Sequence, residues 1–151
     1  MIRLLTQDDI PALVGIEKSC FSDPWSEKFF VSLMNNSCFT AFGYSEDGAV
    51  IGFICFFHIA DEIEILNLAV SPESRRRGRG NALLCALEEY AGKTGAVRMF
   101  LEARMSNAAA RSLYEKHGFQ IIYIRKRYYD SPVEDAVVYE KDIINNADTR
   151  N

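Results

Sequence analysis

The chain has 151 residues, 48% of them hydrophobic, which suits one domain with a single core and excludes disorder as its organising state. Its formal net charge is -4 and its isoelectric point is near 5.2, which argues against general binding to nucleic acid or to a membrane surface. No apolar run approaches the roughly 20 residues of a membrane span, and the opening Met1-Ile2-Arg3-Leu4-Leu5 lacks the apolar core of a signal peptide, so a cytoplasmic protein is expected.

The elements follow in order. Residues 2–5 predict a first strand, and the Thr6 to Asp9 spacing reads as a helix cap before Leu13, Ile16, Glu17 and Cys20 at helical spacing. Phe21-Ser22-Asp23-Pro24-Trp25 ends that helix, and Ser26 caps a second one with Phe29, Phe30, Leu33 and Met34 on its apolar face. Strands are predicted over residues 38–44 and 50–59, joined at Asp47-Gly48, a pair suited to a hairpin turn. Residues 63–70 form the next strand, with Ile63, Ile65, Asn67 and Ala69 alternating against Glu64, Leu66 and Leu68. A helix over about 80–93, a strand over 97–102 and a helix capped by Ser106 or Asn107 and closed by Gly118 come next. Strands over 119–127 and 136–143 end the domain, joined by Tyr128-Tyr129-Asp130-Ser131-Pro132. The expectation is a single α/β (α+β) domain over residues 1–143, one mixed and mostly antiparallel sheet with helices on both faces, and a frayed tail over 144–151.

The four cysteines, Cys20, Cys38, Cys55 and Cys85, lack C-x-x-C spacing and read as buried free thiols. With only His58 and His117 beside them, neither a metal site nor a Cys-His nucleophile is expected.

The most informative stretch is Leu68-Ala69-Val70, then Ser71-Pro72-Glu73-Ser74, then Arg75-Arg76-Arg77-Gly78-Arg79-Gly80-Asn81. A strand stops, a basic glycine-bearing loop follows, and a helix begins. Unpaired N–H groups and the positive end of the helix dipole favour a phosphate there, with glycines permitting close approach and arginines adding planar donors. The third glycine of a dinucleotide fingerprint and the Gly-Lys-Ser/Thr of a P-loop are both missing. Arg75, Gly78 and Gly80 resemble the fixed positions of the acetyl-CoA-binding loop of the GNAT N-acetyltransferase superfamily.

The resemblance extends over the whole chain. Asn107, Ala110, Tyr114, Gly118 and Phe119 match that superfamily's Asn-x-x-Ala-x-x-x-Tyr-x-x-x-Gly-Phe pattern. Leu101-Glu102-Ala103-Arg104-Met105-Ser106-Asn107, Pro24-Trp25-Ser26-Glu27-Lys28 and Tyr128-Tyr129 with Glu134-Asp135-Ala136 narrow it to the bacterial ribosomal-protein-alanine N-acetyltransferases. This resemblance implies a splayed central strand pair holding acetyl-CoA as co-substrate, with no metal. It implies Glu102 as general base and Tyr114 as general acid for direct transfer to an N-terminal α-amine. It assigns cofactor binding to the main chain of Leu68, Ala69 and Val70, to Arg75, Arg76, Arg77, Gly78, Arg79, Gly80 and Asn81, and to Asn107. The acceptor implied is the basic N-terminal tail of a ribosomal protein, bordered by Trp25 and residues 128–134, with Glu62, Glu64, Glu134 and Asp135 as sources of negative charge. Another GNAT enzyme acting on a lysine or a small amine is the nearest alternative, and a non-catalytic acyl-CoA sensor the next.

Overall fold

The structure is a computed structural model and describes residues 1–143, so the tail expected to fray at 144–151 lies outside the described residues. Thr6 opens the first helical segment as expected: its N–H donates to Asp9 Oδ2 at 2.9 Å, and Arg3 anchors the other oxygen of that carboxylate at 2.8 Å. Helix α1 (Ile10–Cys20) follows, and α2 (Glu27–Met34) starts at Ser26, whose hydroxyl accepts the Phe29 N–H at 3.1 Å.

Strands β1 (Ile2–Leu4), β2 (Phe39–Glu46), β3 (Ala49–Ile59) and β4 (Glu62–Val70) pair antiparallel in sequence order. The β2–β3 turn is the expected Asp47-Gly48, with φ of 51° and 81°; both positive values match a primed hairpin turn. Helix α3 (Arg79–Thr94) crosses over to β5 (Arg98–Arg104), which runs parallel to β4. Helix α4 (Ala108–Lys116) leads to β6 (Gln120–Asp130) and β7 (Val133–Asp142), giving a seven-stranded sheet of order β1-β2-β3-β4-β5-β7-β6.

Residues 128–130, expected in a connecting segment, belong to β6 instead, and the turn shrinks to Ser131-Pro132. Pairing resumes beyond an irregularity between Arg125 and Tyr129, where the Arg127 N–H donates to Asp135 Oδ1 at 2.9 Å. That contact depends on cross-strand register and has no local signature.

Helices cover both faces. Leu13, Ile16 and Phe30 of α1 and α2 pack on Phe53, Cys55 and Ala69, while Leu83, Leu84 and Leu87 of α3 pack with Ile54, Phe56, Ile63 and Tyr139 on the opposite face. Phe53, Ile54, Cys55 and Phe56 are all fully buried, which explains an unbroken apolar run where a half-exposed strand would alternate. Each such side chain contributes about 1.5–3 kcal/mol on burial. Of the four thiols expected to be buried, all are free, but Cys85 is exposed and Cys20 and Cys38 are half-buried.

Candidate active site

Two features open the sheet at its centre. The first is a bulge: Cys55 faces Asn67 while Phe56 faces Ile65, leaving Leu66 extra on β4. The simple alternation expected for this strand therefore fails. Ile63 and Ile65 pack on the α3 side, whereas Leu66 and Ala69 pack on the α1 side and Asn67 bonds to Glu17 of α1. The second is the parting of β4 from β5, whose ladder covers only residues 62–65 with 98–101. Beyond it the strands separate, and a cleft of about 1100 Å³ runs from the start of α3 to β7.

The unpaired edge of β4 supplies main-chain groups to this cleft. Ser71 N–H donates to Ile51 O at 2.8 Å, so by antiparallel alternation Ala69 also faces β3, while the peptide groups of Leu68 and Val70 face the cleft. Of the three residues expected to present main chain there, Ala69 is thus turned into the sheet. Leu68 N–H is held by Asn67 Oδ1 at 3.0 Å, and Val70 O accepts from Arg75 Nε at 3.0 Å.

The glycine loop has the form expected of an anion site. Gly78 is the N-cap of α3 with φ 76°, a left-handed conformation that favours glycine, and Arg76 is also left-handed at φ 64°. The first intrahelical bond runs from Ala82 N–H to Gly78 O at 2.9 Å, so the N–H groups of Arg79, Gly80 and Asn81 have no intrahelical acceptor. A Cβ on Gly80 would meet Leu113 only at 3.5 Å, so internal packing does not demand a glycine there, and its bare backbone suits close approach from the cleft.

The arginines divide by role. Arg79 is buried, paired with Glu46 and set against the Tyr44 ring at 5.8 Å, so its guanidinium is committed to the core edge and only its main chain is left for a ligand. Arg75 braces Val70 O and Cys20 Sγ. Arg76 lines the cleft, whereas Arg77 lies outside its lining. Asn81 Oδ1 accepts from His117 Nε2 at 2.6 Å, and Asn81 lines the cleft at its helical end.

Glu102, Asn107 and Tyr114 meet in the same cleft. Glu102 leaves the end of β5 where its partner strand parts from it, and pairs with Arg125 Nε of β6 at 2.9 Å. The Tyr128 hydroxyl also bonds to this carboxylate, and the bond, with the Glu102 charge, raises the phenol above its ordinary value. The other partners open to Glu102, Arg98 and Arg104, are engaged elsewhere: Arg98 with Glu62 and Glu140, Arg104 with Glu134 at 3.3 Å. Asn107 caps α4 by accepting the Ala110 N–H at 3.3 Å. Tyr114 is 4% exposed, packed on Phe119 and Tyr139, and burial pushes its phenol far above the ordinary value.

Of the residues expected to border the acceptor, Trp25, Tyr129, Pro132 and Glu134 line the cleft. Burial, then the Glu102 charge, raises the Tyr129 phenol to about 12. The negative charge expected there is largely spent within the protein. Glu62 pairs with Arg98, Glu134 with Arg104 and the Ser106 N–H, and Asp135 with Lys126. Glu64 is in no ion pair among the described residues, and burial and then the Glu102 charge raise its carboxyl.

Two contributors escaped the sequence reading of the site. Glu17 was legible only as a carboxylate on an otherwise apolar helix face, and Asn67 as a polar residue in an apolar strand. Their bond, Asn67 Nδ2 to Glu17 Oε1 at 3.0 Å, spans 50 residues of chain.

Comparison with known proteins gives the family and the fold. The family model described as "Acetyltransferase (GNAT) family" matches residues 10–119. The chain is 37% identical over 139 residues to the ribosomal protein bS18-alanine N-acetyltransferase of Escherichia coli strain K12, covering 91% of this chain and 93% of that one. A crystal structure of the ribosomal-protein-S18-alanine N-acetyltransferase from Escherichia coli superposes with a TM-score of 0.89 at 36% identity, over 95% of this chain and 93% of that one. Arabidopsis thaliana NAA60, solved in complex with acetyl-CoA, shares the fold with a TM-score of 0.82 at 19% identity, over 95% of this chain and 98% of that one. The chain belongs to the GNAT family of acetyltransferases.

Proposed function

We propose that this protein moves an acetyl group from acetyl-CoA to the α-amine of an N-terminal alanine on a ribosomal protein, by direct transfer while both substrates are bound. One observation carries the reading: a single cleft joins the anion-binding start of α3, the unpaired edge of β4, Glu102 and Tyr114. The names of the Escherichia coli relatives support the acceptor.

The residues fit the co-substrate. The free N–H groups at the start of α3, with Arg76 at the cleft wall, take the pyrophosphate. The Leu68 and Val70 peptide groups and Asn107 receive the pantetheine arm, and a main-chain N–H of β4 polarises the thioester carbonyl as charge develops on its oxygen.

Glu102 then removes a proton from the acceptor ammonium, directly or through water. An α-ammonium has a pKa of about 8 against about 10.4 for lysine, which makes it the easier group to activate at neutral pH. Arg125 and the Tyr128 hydroxyl hold the Glu102 carboxylate in place for this step. The freed amine attacks the thioester carbon, the C–S bond breaks, and Tyr114 gives its proton to the departing thiolate. Burial keeps that phenol protonated throughout the neutral range, so it serves as a donor. Asp23, which lines the cleft, and Glu64, which lies outside its lining and beside Glu102, offer charge to draw a basic tail.

The test is thiol release from acetyl-CoA with a short basic peptide bearing a free N-terminal alanine, beside its N-blocked twin. Turnover with the free peptide alone is expected. Equal turnover with both would assign the activity to a lysine side chain and overturn the α-amine reading.

A further inference from the structure

Glu17 is 1% exposed, yet it lines the cleft. Its Oε1 accepts from Asn67, while its Oε2 makes no hydrogen bond. The Trp25 peptide N–H approaches the same carboxylate and favours its charged form without completing that bond. A buried acceptor without a partner lowers stability, so a side chain of this kind asks for another reason to be there.

Its neighbours supply one. Asn67 sits in the β4 bulge and holds the cleft-facing Leu68 N–H through its Oδ1. Trp25 stacks edge-on against Phe29 and Phe30, at 5.0 and 5.6 Å, and so ties the acceptor wall to α2. Glu17 therefore bonds to the β4 strand at the cleft and lies beside the main chain of the Trp25 wall. We propose that Glu17 is a positioning residue for acetyl transfer, clamping the Trp25 wall to the Asn67 bulge and so setting the distance between amine and thioester. This rests on the reading above of where the two substrates meet.

The clamp depends on charge, because the ionised carboxylate offers acceptors to both N–H partners and the protonated one offers fewer. Burial raises the Glu17 carboxyl to about 7, against the lowering effects of Asn67 and the Trp25 N–H. The other titratable group facing it is Cys55 on β3, whose thiol burial keeps neutral, and no charged side chain among the described residues bonds to it. The clamp accordingly tightens as pH rises through neutrality.

Trp25 is the only tryptophan of the chain, so its fluorescence reports the wall without any acceptor. The wild type is expected to show a change in emission centred at about pH 7. Glu17→Gln, which keeps an oxygen for Asn67 but turns an NH2 group toward the Trp25 N–H, is expected to abolish it. In turnover, that variant should lose roughly ten- to a hundredfold in kcat/KM for the alanine peptide, with acetyl-CoA affinity unchanged and melting temperature not lowered. Glu17→Asp should recover part of the loss. Persistence of the fluorescence transition in Glu17→Gln, or its absence from the wild type, would overturn the proposal. So would a parallel fall in activity, acetyl-CoA affinity and melting temperature, which would make Glu17 a core prop. A wild type that shows the transition but acetylates neither peptide would retain the clamp and refute the acceptor assigned above.

Discussion

The two ends of the β4–β5 pair use the same strands to opposite ends. Over residues 62–65 and 98–101 the ladder is complete, the side chains of Ile63, Met99 and Leu101 are buried, and Arg98 joins Glu62 and Glu140 across three strands. Past Ile65 the bulge turns β4 and the ladder stops. There the main chain of Leu68 and Val70 faces a cleft, Glu102 and Tyr114 line it, and Glu17 keeps an oxygen unpartnered. The closed end pairs its main chain and Arg98 within the sheet, and the open end leaves groups for a ligand. An interruption of strand pairing suits a binding site, because there hydrogen-bonding groups and partly buried side chains share a surface with solvent.

This contrast is sharpest in mutations that separate rate from stability. At the open end, Glu102→Gln should lower kcat by about 100- to 10,000-fold while acetyl-CoA affinity, measured by calorimetry, stays unchanged. Tyr114→Phe should fall toward the lower part of that range, and a normal kcat in either variant would break the assignment. At the closed end, Ile63→Ala removes a fully buried side chain and should cost about 2–5 kcal/mol in denaturant unfolding. Its kcat per folded molecule should remain near that of the wild type.

A smaller effect links the two ends. The Glu17 carboxyl rises in the folded state from 4.5 to about 7. Its protonated form is therefore favoured by folding, and the contribution present below the unfolded value is lost as pH rises through the folded one. Relative to Glu17→Gln, the wild type should lose about 3 kcal/mol of unfolding free energy between mild acid and neutral pH. Chemical denaturation of both proteins as a function of pH checks this, and parallel curves would contradict it. The smallest effect belongs to Arg98→Met. Its carboxylate partners are partly exposed, so a change of about 1 kcal/mol or less is expected despite two ion pairs.

What the sequence disclosed were features of short range. Ser26, Asn107, Gly78 and the Asp47-Gly48 turn act within a few residues and appear where expected. Glu102 and Tyr114 fall in the cleft because their motif spans one strand and the helix after it. Features that depend on register were not legible. The bulge placed Asn67 on the α1 face, opposite to simple alternation, and Arg79 found Glu46 across 33 residues. Arg125 reached Glu102 because β6 lies across β7 from β5, an order of strands that no local pattern discloses. Three of the four charges counted toward an acidic acceptor surface, Glu62, Glu134 and Asp135, were already paired with arginines and a lysine from other strands.

Amide hydrogen exchange with and without acetyl-CoA tests the contrast between the two ends most directly. Binding in the splay should slow exchange at Leu68 and Val70 and in the first turn of α3, and leave Ile63 and Ile65, already paired in the sheet, as they were. Equal protection along all of β4, or protection confined to another surface, would show that the cofactor does not occupy the parted strands, and the account of this site would fall.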